Sequence, residues 1–139
     1  MPDVLAFLRR GPISPRLHGT LDYPLAAALI AGPLLLDLDS ERVFVFILIL
    51  GGAATLLAVA TDWSRGIIHV IPPVVHGILD VAATVALIIA PFVLFYSEHA
   101  LALWFSVGVG LGGLIATLLT RFESDLQPAM TRAGMEPAL

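Results

Sequence analysis

The chain has 139 residues, of which 58% are hydrophobic and only 13% are charged, with a net charge of −4. Because a soluble globular domain usually has about 25% charged residues, this composition excludes an ordinary soluble domain and predicts a protein that resides mostly in lipid. The absence of cysteine excludes disulfides, zinc–thiolate sites, iron–sulfur clusters and thiol catalysis, and the acidic balance provides no basic surface for nucleic acid.

Four long apolar runs follow one another along the chain, and we predict that each forms a transmembrane helix. Each run is close to the roughly 20 residues that cross the hydrocarbon core of a bilayer. Helices are favoured over strands because a helix satisfies its own backbone hydrogen bonds in lipid. The runs are Leu17–Leu36, Val43–Ala60, Val74–Tyr96 and Ala100–Thr120. The predicted fold class is therefore an all-α membrane protein with four transmembrane helices.

The arginines predict the orientation of these spans. One predicted side of the membrane holds Arg9, Arg10, Arg16, Arg65, Arg121 and Arg132, and the other side holds Arg42 alone. Cytoplasmic loops are enriched in basic residues. We therefore expect a multi-pass protein of the bacterial inner membrane with both termini in the cytoplasm.

Little of the chain is predicted to lie outside the bilayer. Residues 1–12 are expected to form a cytoplasmic or interfacial segment, and residues 123–139 a disordered cytoplasmic tail. No nucleophile elbow, HExxH motif or phosphate-binding loop occurs, so we predict that the protein is not an enzyme. Aromatic residues at the span ends are expected to be interfacial anchors, Tyr96 and Trp104 on one side and Trp63 and Phe122 on the other.

An internal repeat is the most specific feature of the sequence. A shift of 58 positions aligns residues 13–36 with residues 71–94, with 11 identities in 24 positions. The shared residues include a proline, a histidine, a glycine, an aspartate and a second proline at fixed spacing, which biased composition does not explain. We predict two tandem two-helix repeats, residues 13–62 and 63–122, that are parallel and related by a pseudo-two-fold axis along the membrane normal.

The repeated motif resembles that of the SPW-repeat family of small bacterial membrane proteins. The Pro-x-x-His-Gly-x-x-Asp entry of that family is present twice, at Pro15–Asp22 and Pro73–Asp80. The Ser-Pro-Trp triplet that names the family is degenerate, since only Pro33 and Pro91 remain of it. The resemblance covers residues 13–120. It implies a four-helix membrane fold and brings neither an established activity nor catalytic residues.

The two His–Asp pairs are the candidate binding site. His18 and Asp22 are four residues apart and therefore share a helix face, as do His76 and Asp80. Ionisable groups inside a span are costly and usually face the bundle interior. One hypothesis is a shared site for a ligand, a divalent metal, a proton relay or a haem with axial histidines. The other is structural, in which each Asp orients its own His and caps helix ends or loop amides.

The glycines and prolines of the helices are predicted to shape the bundle. Small residues allow close helix approach within the chain or between protomers, and proline kinks a helix. The residues predicted for helix packing are Gly19, Gly77, Gly51, Gly52, Gly108 and Gly112. The predicted kinks are at Pro33 and Pro91, and His69 is interpreted as a loop residue.

The preferred functional prediction is a small non-enzymatic membrane protein, structural or accessory, that packs against itself as a homo-oligomer or against a larger membrane complex. The alternative is binding or transport of a small ligand, ion or proton through His18, Asp22, His76 and Asp80. A haem- or metal-binding redox subunit is a third option. The sequence assigns no metal or cofactor, and the partner that it predicts is the lipid bilayer.

Overall fold

The computed structural model of the protein describes residues 11–36 and 40–126. This part of the chain is all-helical. Its helices are α1 (Pro15–Leu35), α2 (Glu41–Ala60), α3 (Pro73–Val93) and α4 (Ala100–Leu118). The predictions for most of the 1–12 segment, for the end of the tail and for Arg9, Arg10 and Arg132 lie outside the described residues.

The starts of α1 and α3 are fixed by the repeated proline. Pro15 and Pro73 occupy the first turn of their helices, where a missing backbone N–H costs nothing because that group has no partner inside the helix. Before α1, the hydroxyl of Ser14 also accepts a hydrogen bond from the amide of Leu17 at 3.2 Å. The proline of the motif therefore sets where the helix begins, and with it the depth of the histidine three residues later.

Two of the predicted spans are longer than the helices observed. The third run was predicted to reach Tyr96, but α3 ends at Val93, and Phe95 adopts a positive φ of 57°. A bulky side chain in this left-handed region is incompatible with continued helix. The fourth run was predicted to reach Thr120, but α4 ends at Leu118. Tyr96 and Thr120 therefore lie outside the helices.

Three of the helices, α2, α3 and α4, are long and apolar enough to cross a membrane. Large apolar side chains on their outer surfaces are exposed, as Leu56 (71%) and Ile115 (57%) illustrate. Such a surface suits lipid as its solvent. Helix α1 is as long as α3 but is less apolar, because its first half contains Arg16, His18 and Asp22.

The helices pack mainly in two pairs, α1 against α2 and α3 against α4, with fewer contacts between the pairs. An apolar core lies towards one end of the bundle, and its buried members are Leu29, Val43, Ile47, Leu87, Ala90, Tyr96 and Ala102. A second, aromatic cluster of Trp63 and Phe122 lies where α2 and α4 finish. The space between these clusters is the middle of the bundle.

Two short backbone bridges close the end of the bundle that holds the aromatic cluster. Ile13 donates its amide to Leu119 O at 2.9 Å and accepts from the amide of Arg121 at 3.1 Å. Ile71 does the same with Ala60 O at 2.9 Å and the amide of Asp62 at 2.8 Å. Each entry into α1 or α3 is thereby fixed beside the exit from α4 or α2.

Candidate metal centre

The structure brings the four predicted site residues together. His18, Asp22, His76 and Asp80 each offer one nitrogen or oxygen atom such that all four atoms lie within 4.8 Å of one another. His18 is 3% exposed, His76 1% and Asp22 8%. We call these four residues the His–Asp cluster. They form one centre between α1 and α3, not two separate pairs.

The contacts within the His–Asp cluster cross between the helices. His18 Nε2 lies 3.0 Å from Asp80 Oδ2 on α3 and 3.3 Å from Asp22 Oδ1 on its own helix. His76 Nε2 lies 3.0 Å from Asp80 Oδ2 and 3.4 Å from Asp22 Oδ2 on α1. Each carboxylate therefore contacts both imidazoles. No backbone amide of the described residues donates to either carboxylate, so the predicted capping of loop amides is not observed there.

Two threonines that the sequence analysis missed hold the outer nitrogens of the histidines. His76 Nδ1 lies 2.7 Å from Thr61 Oγ1, and His18 Nδ1 lies 2.8 Å from Thr120 Oγ1. Each threonine hydroxyl donates its own proton to the carbonyl four residues earlier, Leu57 O at 2.6 Å and Ala116 O at 2.7 Å. Each hydroxyl must then accept from the imidazole, which assigns the proton to Nδ1. In the neutral form of both histidines, Nε2 therefore faces the centre as a lone pair.

Two atoms of the His–Asp cluster are buried without a hydrogen-bond partner among the described residues, His76 Nε2 and Asp22 Oδ2. His76 Nε2 approaches Asp80 Oδ2 to 3.0 Å but does not meet it in hydrogen-bond geometry. Two acceptors that face each other at this distance repel, and a buried acceptor without a partner costs about 1–3 kcal/mol. A cation between His76 Nε2 and the two carboxylates would remove both the repulsion and the cost of the missing hydrogen-bond partners.

The distances come close to those of a common coordination geometry. Zinc binds imidazole nitrogen at roughly 2.0–2.1 Å and carboxylate oxygen at roughly 2.0–2.2 Å, so adjacent ligand atoms of a tetrahedron are about 3.3–3.5 Å apart. The four His–Asp contacts span 3.0–3.4 Å. The four ligand atoms, one from each residue, lie within 4.8 Å of one another, so the side chains have to adjust to meet a tetrahedral ion. A haem between the histidines fits less well, because the carboxylate oxygens already lie between the imidazoles where the macrocycle would have to pass.

An aromatic lid covers the His–Asp cluster at the end of the bundle where α2 and α4 finish. The lid consists of Trp63 and Phe122, which are 0% and 1% exposed. The ring of Trp63 lies 4.4 Å from that of His76, and the ring of Phe122 lies 5.2 Å from that of His18, between centroids. The prediction that these two residues are interfacial anchors is wrong, since both face inward and shield the centre.

A carboxylate latch fastens the lid. Asp125 accepts from the backbone amide of Ser64 at 2.7 Å and from its hydroxyl at 2.6 Å. Ser64 directly follows Trp63, and Asp125 lies three residues after Phe122. The latch therefore joins the two chain segments that carry the lid.

Two apolar clefts lead from the sides of the bundle to the His–Asp cluster. One, of about 400 Å³, passes between α1 and α4 into the middle of the bundle, where residues of all four helices line it. His18, Asp22 and Asp80 lie at one end of this cleft, and Leu29, Leu87 and Val109 lie at the other. The second, of about 460 Å³, runs between α2 and α3. Asp80 lines both clefts.

The predicted packing glycines fall into two groups. A Cβ at Gly77 would lie 2.8 Å from the ring of Phe122, and a Cβ at Gly51 would lie 2.8 Å from Ile30. A Cβ at Gly19 would lie 3.1 Å from Trp63. By contrast, the group consisting of Gly52, Gly108 and Gly112 has no such atom within 4 Å. Packing within the described chain is therefore not observed for this group, and packing between protomers stays a prediction.

The remaining predicted positions lie away from the His–Asp cluster. Pro33 and Pro91 lie inside α1 and α3 near their ends and are buried. Their predicted kinks stay predictions. His69 lies in the loop between α2 and α3, with Nδ1 3.8 Å from Asp62 Oδ1 and a positive φ of 55°. Trp104 is 70% exposed, whereas Tyr96 is 1% exposed and donates to Ser106 Oγ at 3.0 Å. Tyr96 is therefore a core residue and not the anchor that the sequence predicts.

No family model, curated protein or solved structure matches the chain. The resemblance to the SPW-repeat family therefore stays a prediction.

Proposed function

We propose that the protein binds one divalent transition-metal ion inside a membrane helix bundle, with His18 Nε2, His76 Nε2, Asp22 and Asp80 as ligands. The observation that carries the proposal is the pair of buried, partnerless atoms His76 Nε2 and Asp22 Oδ2, both directed into the centre. Mixed imidazole and carboxylate ligands suit zinc, iron, manganese and cobalt.

Charge balance supports a divalent ion. Two carboxylates neutralise a divalent ion, which leaves the His–Asp cluster with no net charge when both histidines are neutral. A neutral centre avoids most of the penalty for burying charge in a low-dielectric environment. The outer threonines support the same assignment, since a metal-binding histidine usually donates its other ring N–H to a fixed acceptor.

A cluster of two imidazolium–carboxylate pairs would also be neutral. In that arrangement each Nε2–H would donate to a carboxylate. His18 Nε2 meets Asp80 Oδ2 in hydrogen-bond geometry at 3.0 Å, but His76 Nε2 does not. His76 Nε2 therefore lies close to Asp80 Oδ2 without an aligned hydrogen bond, and a central cation would satisfy it.

The ion has a mechanical role in this proposal. The α1–α2 and α3–α4 pairs make few contacts with each other, whereas α1 and α3 supply two ligands each. A centre with four protein ligands is typical of structural metal sites. The ion would therefore join the two helix pairs, in keeping with a non-enzymatic, structural role, and that role leaves room for an oligomer or a larger membrane complex.

We further propose that α1 is the fourth span and that the two helix pairs are tandem repeats in the inner membrane, with both termini cytoplasmic. The matching environments support this arrangement. His18 and His76 are 58 positions apart, and Thr61 and Thr120 are 59 positions apart. These residues make equivalent contacts in the two halves, His18 with Thr120 and His76 with Thr61. Arg16, Arg65 and Arg121 lie at one end of the bundle, which supports the orientation.

Metal titration tests the binding proposal. The protein, purified with a histidine-free tag, is stripped with a chelator and titrated with Zn²⁺ or Co²⁺ by calorimetry, and bound metal is measured by mass spectrometry. We expect one ion per chain. His76→Gln and Asp80→Asn should each lower the affinity by more than about 100-fold, beyond the roughly 10–100-fold loss typical of second-shell changes.

The matched controls are His69→Gln and Asp62→Asn, a His–Asp pair outside the cluster. Both should bind metal like the original protein. If the stripped protein takes up no ion, or if the control pair lowers affinity as much as the cluster variants, the proposal is wrong.

The topology has its own test, because the chain has no cysteine. Glu98→Cys, in the loop between α3 and α4, should react with a membrane-impermeant maleimide in intact cells. Ile68→Cys, in the loop between α2 and α3, should react only after permeabilisation. The reverse pattern would contradict cytoplasmic termini.

A further inference from the structure

We propose that the cleft between α1 and α4 binds the chain of a neutral lipophile whose hydroxyl head donates a hydrogen bond to Asp80. This inference rests on the proposed metal centre, because it assigns a ligand to the apolar space beside that centre. The chemical class is a single-chain molecule with an uncharged O–H group, such as a fatty or isoprenoid alcohol or a quinol.

The shape of the cleft supports a chain-like occupant. It extends along α1 from His18 to Leu29, a rise of about 16 Å over the eleven steps between these residues. A decyl chain has a suitable length for this space. The lining beyond the first turn is almost entirely apolar, including Leu25, Leu87 and Val109. An apolar cleft with few polar groups at one end is the usual form of a small-molecule site.

The polar end of the cleft determines the head group. Asp80 Oδ2 contacts both imidazoles, whereas Asp80 Oδ1 makes no hydrogen bond with the described residues. The Asp80 side chain is 19% exposed, more than any other member of the cluster, and it lines the cleft. A carboxylate oxygen is only an acceptor, so its partner must be a donor.

The charge of the centre restricts the head group further. With two carboxylates around a divalent ion, the centre is neutral. An anionic head, such as a fatty-acid carboxylate, would place an uncompensated charge in a low-dielectric space at large cost. An uncharged hydroxyl adds one charge-assisted hydrogen bond without that cost.

The cleft offers a position at which an added side chain would occupy it. Gly112 lines the cleft, and a Cβ there would meet no heavy atom within 4 Å. Gly108 lies one turn earlier on the same helix, is equally open, and is absent from the cleft lining. Gly112→Leu therefore fills the cleft, while Gly108→Leu adds the same side chain to the same helix outside it.

The experiment uses the full chain, loaded with Zn²⁺, in lipid nanodiscs. A decanol that carries a diazirine on its chain is photo-activated, and labelled positions are identified by peptide mass spectrometry. We expect labels on residues at the deep end of the cleft, such as Leu29 and Leu87. Excess 1-decanol should reduce this labelling by about tenfold or more, whereas n-decane, which lacks the hydroxyl, should change it by less than about twofold.

The variants give the second criterion. Gly112→Leu should reduce cleft labelling by at least about fivefold, because its side chain occupies the same volume, and Gly112→Ala should give an intermediate reduction. Gly108→Leu should label like the original protein. Circular dichroism and gel filtration establish that each variant is folded, and the alanine variant provides the test if the leucine variant is not.

Labelling that n-decane suppresses as well as decanol does, or that Gly112→Leu leaves unchanged, would show ordinary lipid contact and overturn the inference. Metal content is measured on the same samples. A loaded protein without specific labelling therefore contradicts only the lipophile site, whereas absent metal contradicts the proposed function first.

Discussion

Thr120 and His18 lie 102 positions apart in the chain, yet the Thr120 hydroxyl is 2.8 Å from His18 Nδ1 in the buried interior. Thr61 makes the equivalent contact with His76 at 2.7 Å. Both hydroxyls already donate to a helix carbonyl. They are therefore fixed acceptors that orient the imidazoles and direct Nε2 towards the centre.

Removal of these hydroxyls should weaken metal binding without removing a ligand. Valine has nearly the same shape as threonine but cannot accept a hydrogen bond. We expect Thr61→Val and Thr120→Val each to lower Zn²⁺ affinity by about 10–100-fold, the usual range for outer-shell partners of a metal ligand. Titration calorimetry measures the change.

Thr55→Val is the matched control. Thr55 is also a helical threonine whose hydroxyl donates to the carbonyl four residues earlier, Gly51 O at 2.8 Å, but it contacts neither histidine. The Zn²⁺ affinity of the Thr55→Val variant should stay within about twofold of that of the original protein, since Thr55 orients no metal ligand. An equal loss in all three variants would indicate a general effect of threonine removal and contradict the orienting role.

Metal should stabilise the fold to a degree that depends on the carboxylates. A ligand that binds only the folded state stabilises it by about 2.7 kcal/mol at a free concentration 100 times its dissociation constant. We therefore expect Zn²⁺ to raise the melting temperature of the stripped protein. In Asp22→Asn/Asp80→Asn this rise should disappear.

The same double variant gives a second result in metal-free protein. When no ion is present, Asp22 Oδ2 and His76 Nε2 are buried without a hydrogen-bond partner, and this lowers the stability of the folded protein. An amide can donate to His76 Nε2, so the metal-free double variant should melt no lower than the metal-free original. A double variant that melts lower without metal, and still rises on adding Zn²⁺, would oppose a cation centre.

The sequence predicted the helices and the members of the centre, because both depend on local spacing. Apolar runs of sufficient length indicate helices, and a His–Asp spacing of four places both groups on one face. The convergence of the two pairs stayed one of several hypotheses. It depends on how α1 and α3 pack, which no local pattern specifies.

The threonines and the aromatic lid could not be assigned with the same reasoning. Thr61 and Thr120 are 59 positions apart, one more than the repeat offset of 58, so they fall out of register with the aligned motif. Trp63 and Phe122 follow span ends, where aromatic residues usually anchor in the interface. The chain instead turns back over the centre, because the Ile13 and Ile71 backbone bridges and the Ser64–Asp125 contacts hold it there.

Gly77 should be intolerant of even a small side chain. A Cβ there would lie 2.8 Å from Cδ2 and Cε2 and 3.0 Å from Cγ of the Phe122 ring, and this ring is buried against His18. The ring cannot move away without displacing the lid. We expect Gly77→Ala to destabilise the protein by about 1–3 kcal/mol, as overpacking of a core does, and to lower the thermal midpoint.

Gly52→Ala tests whether that loss comes from packing. Gly52 lies in α2 with open space at its Cβ position, so alanine there should be neutral or stabilise the helix by up to about 1 kcal/mol. If Gly77→Ala and Gly52→Ala melt alike, the close approach of Gly77 and Phe122 does not limit this position.

The latch between Ser64 and Asp125 should control the rate of metal exchange. The lid residues shield the His–Asp cluster but supply no ligand, so an ion can leave through this end only after Trp63 and Phe122 move apart. Asp125 opposes that movement with two short hydrogen bonds to Ser64, at 2.7 and 2.6 Å. Charge-assisted bonds of this kind contribute about 1.5–3 kcal/mol each, so Asp125→Ala should accelerate metal release by at least about tenfold. Stopped-flow transfer of Zn²⁺ to an excess of a fluorescent chelator measures the rate.

Glu123→Ala separates the latch from a general loss of negative charge. Glu123 is an acidic neighbour on the same segment, and its contact with Arg121 at 3.5 Å is exposed, so its loss should leave release within about twofold of the original. The equilibrium affinity of Asp125→Ala should change less than its release rate, because an easier opening accelerates binding as well. A variant that releases the ion at the original rate would mean that metal leaves by another route, and the clefts that meet at Asp80 would then be the path to test.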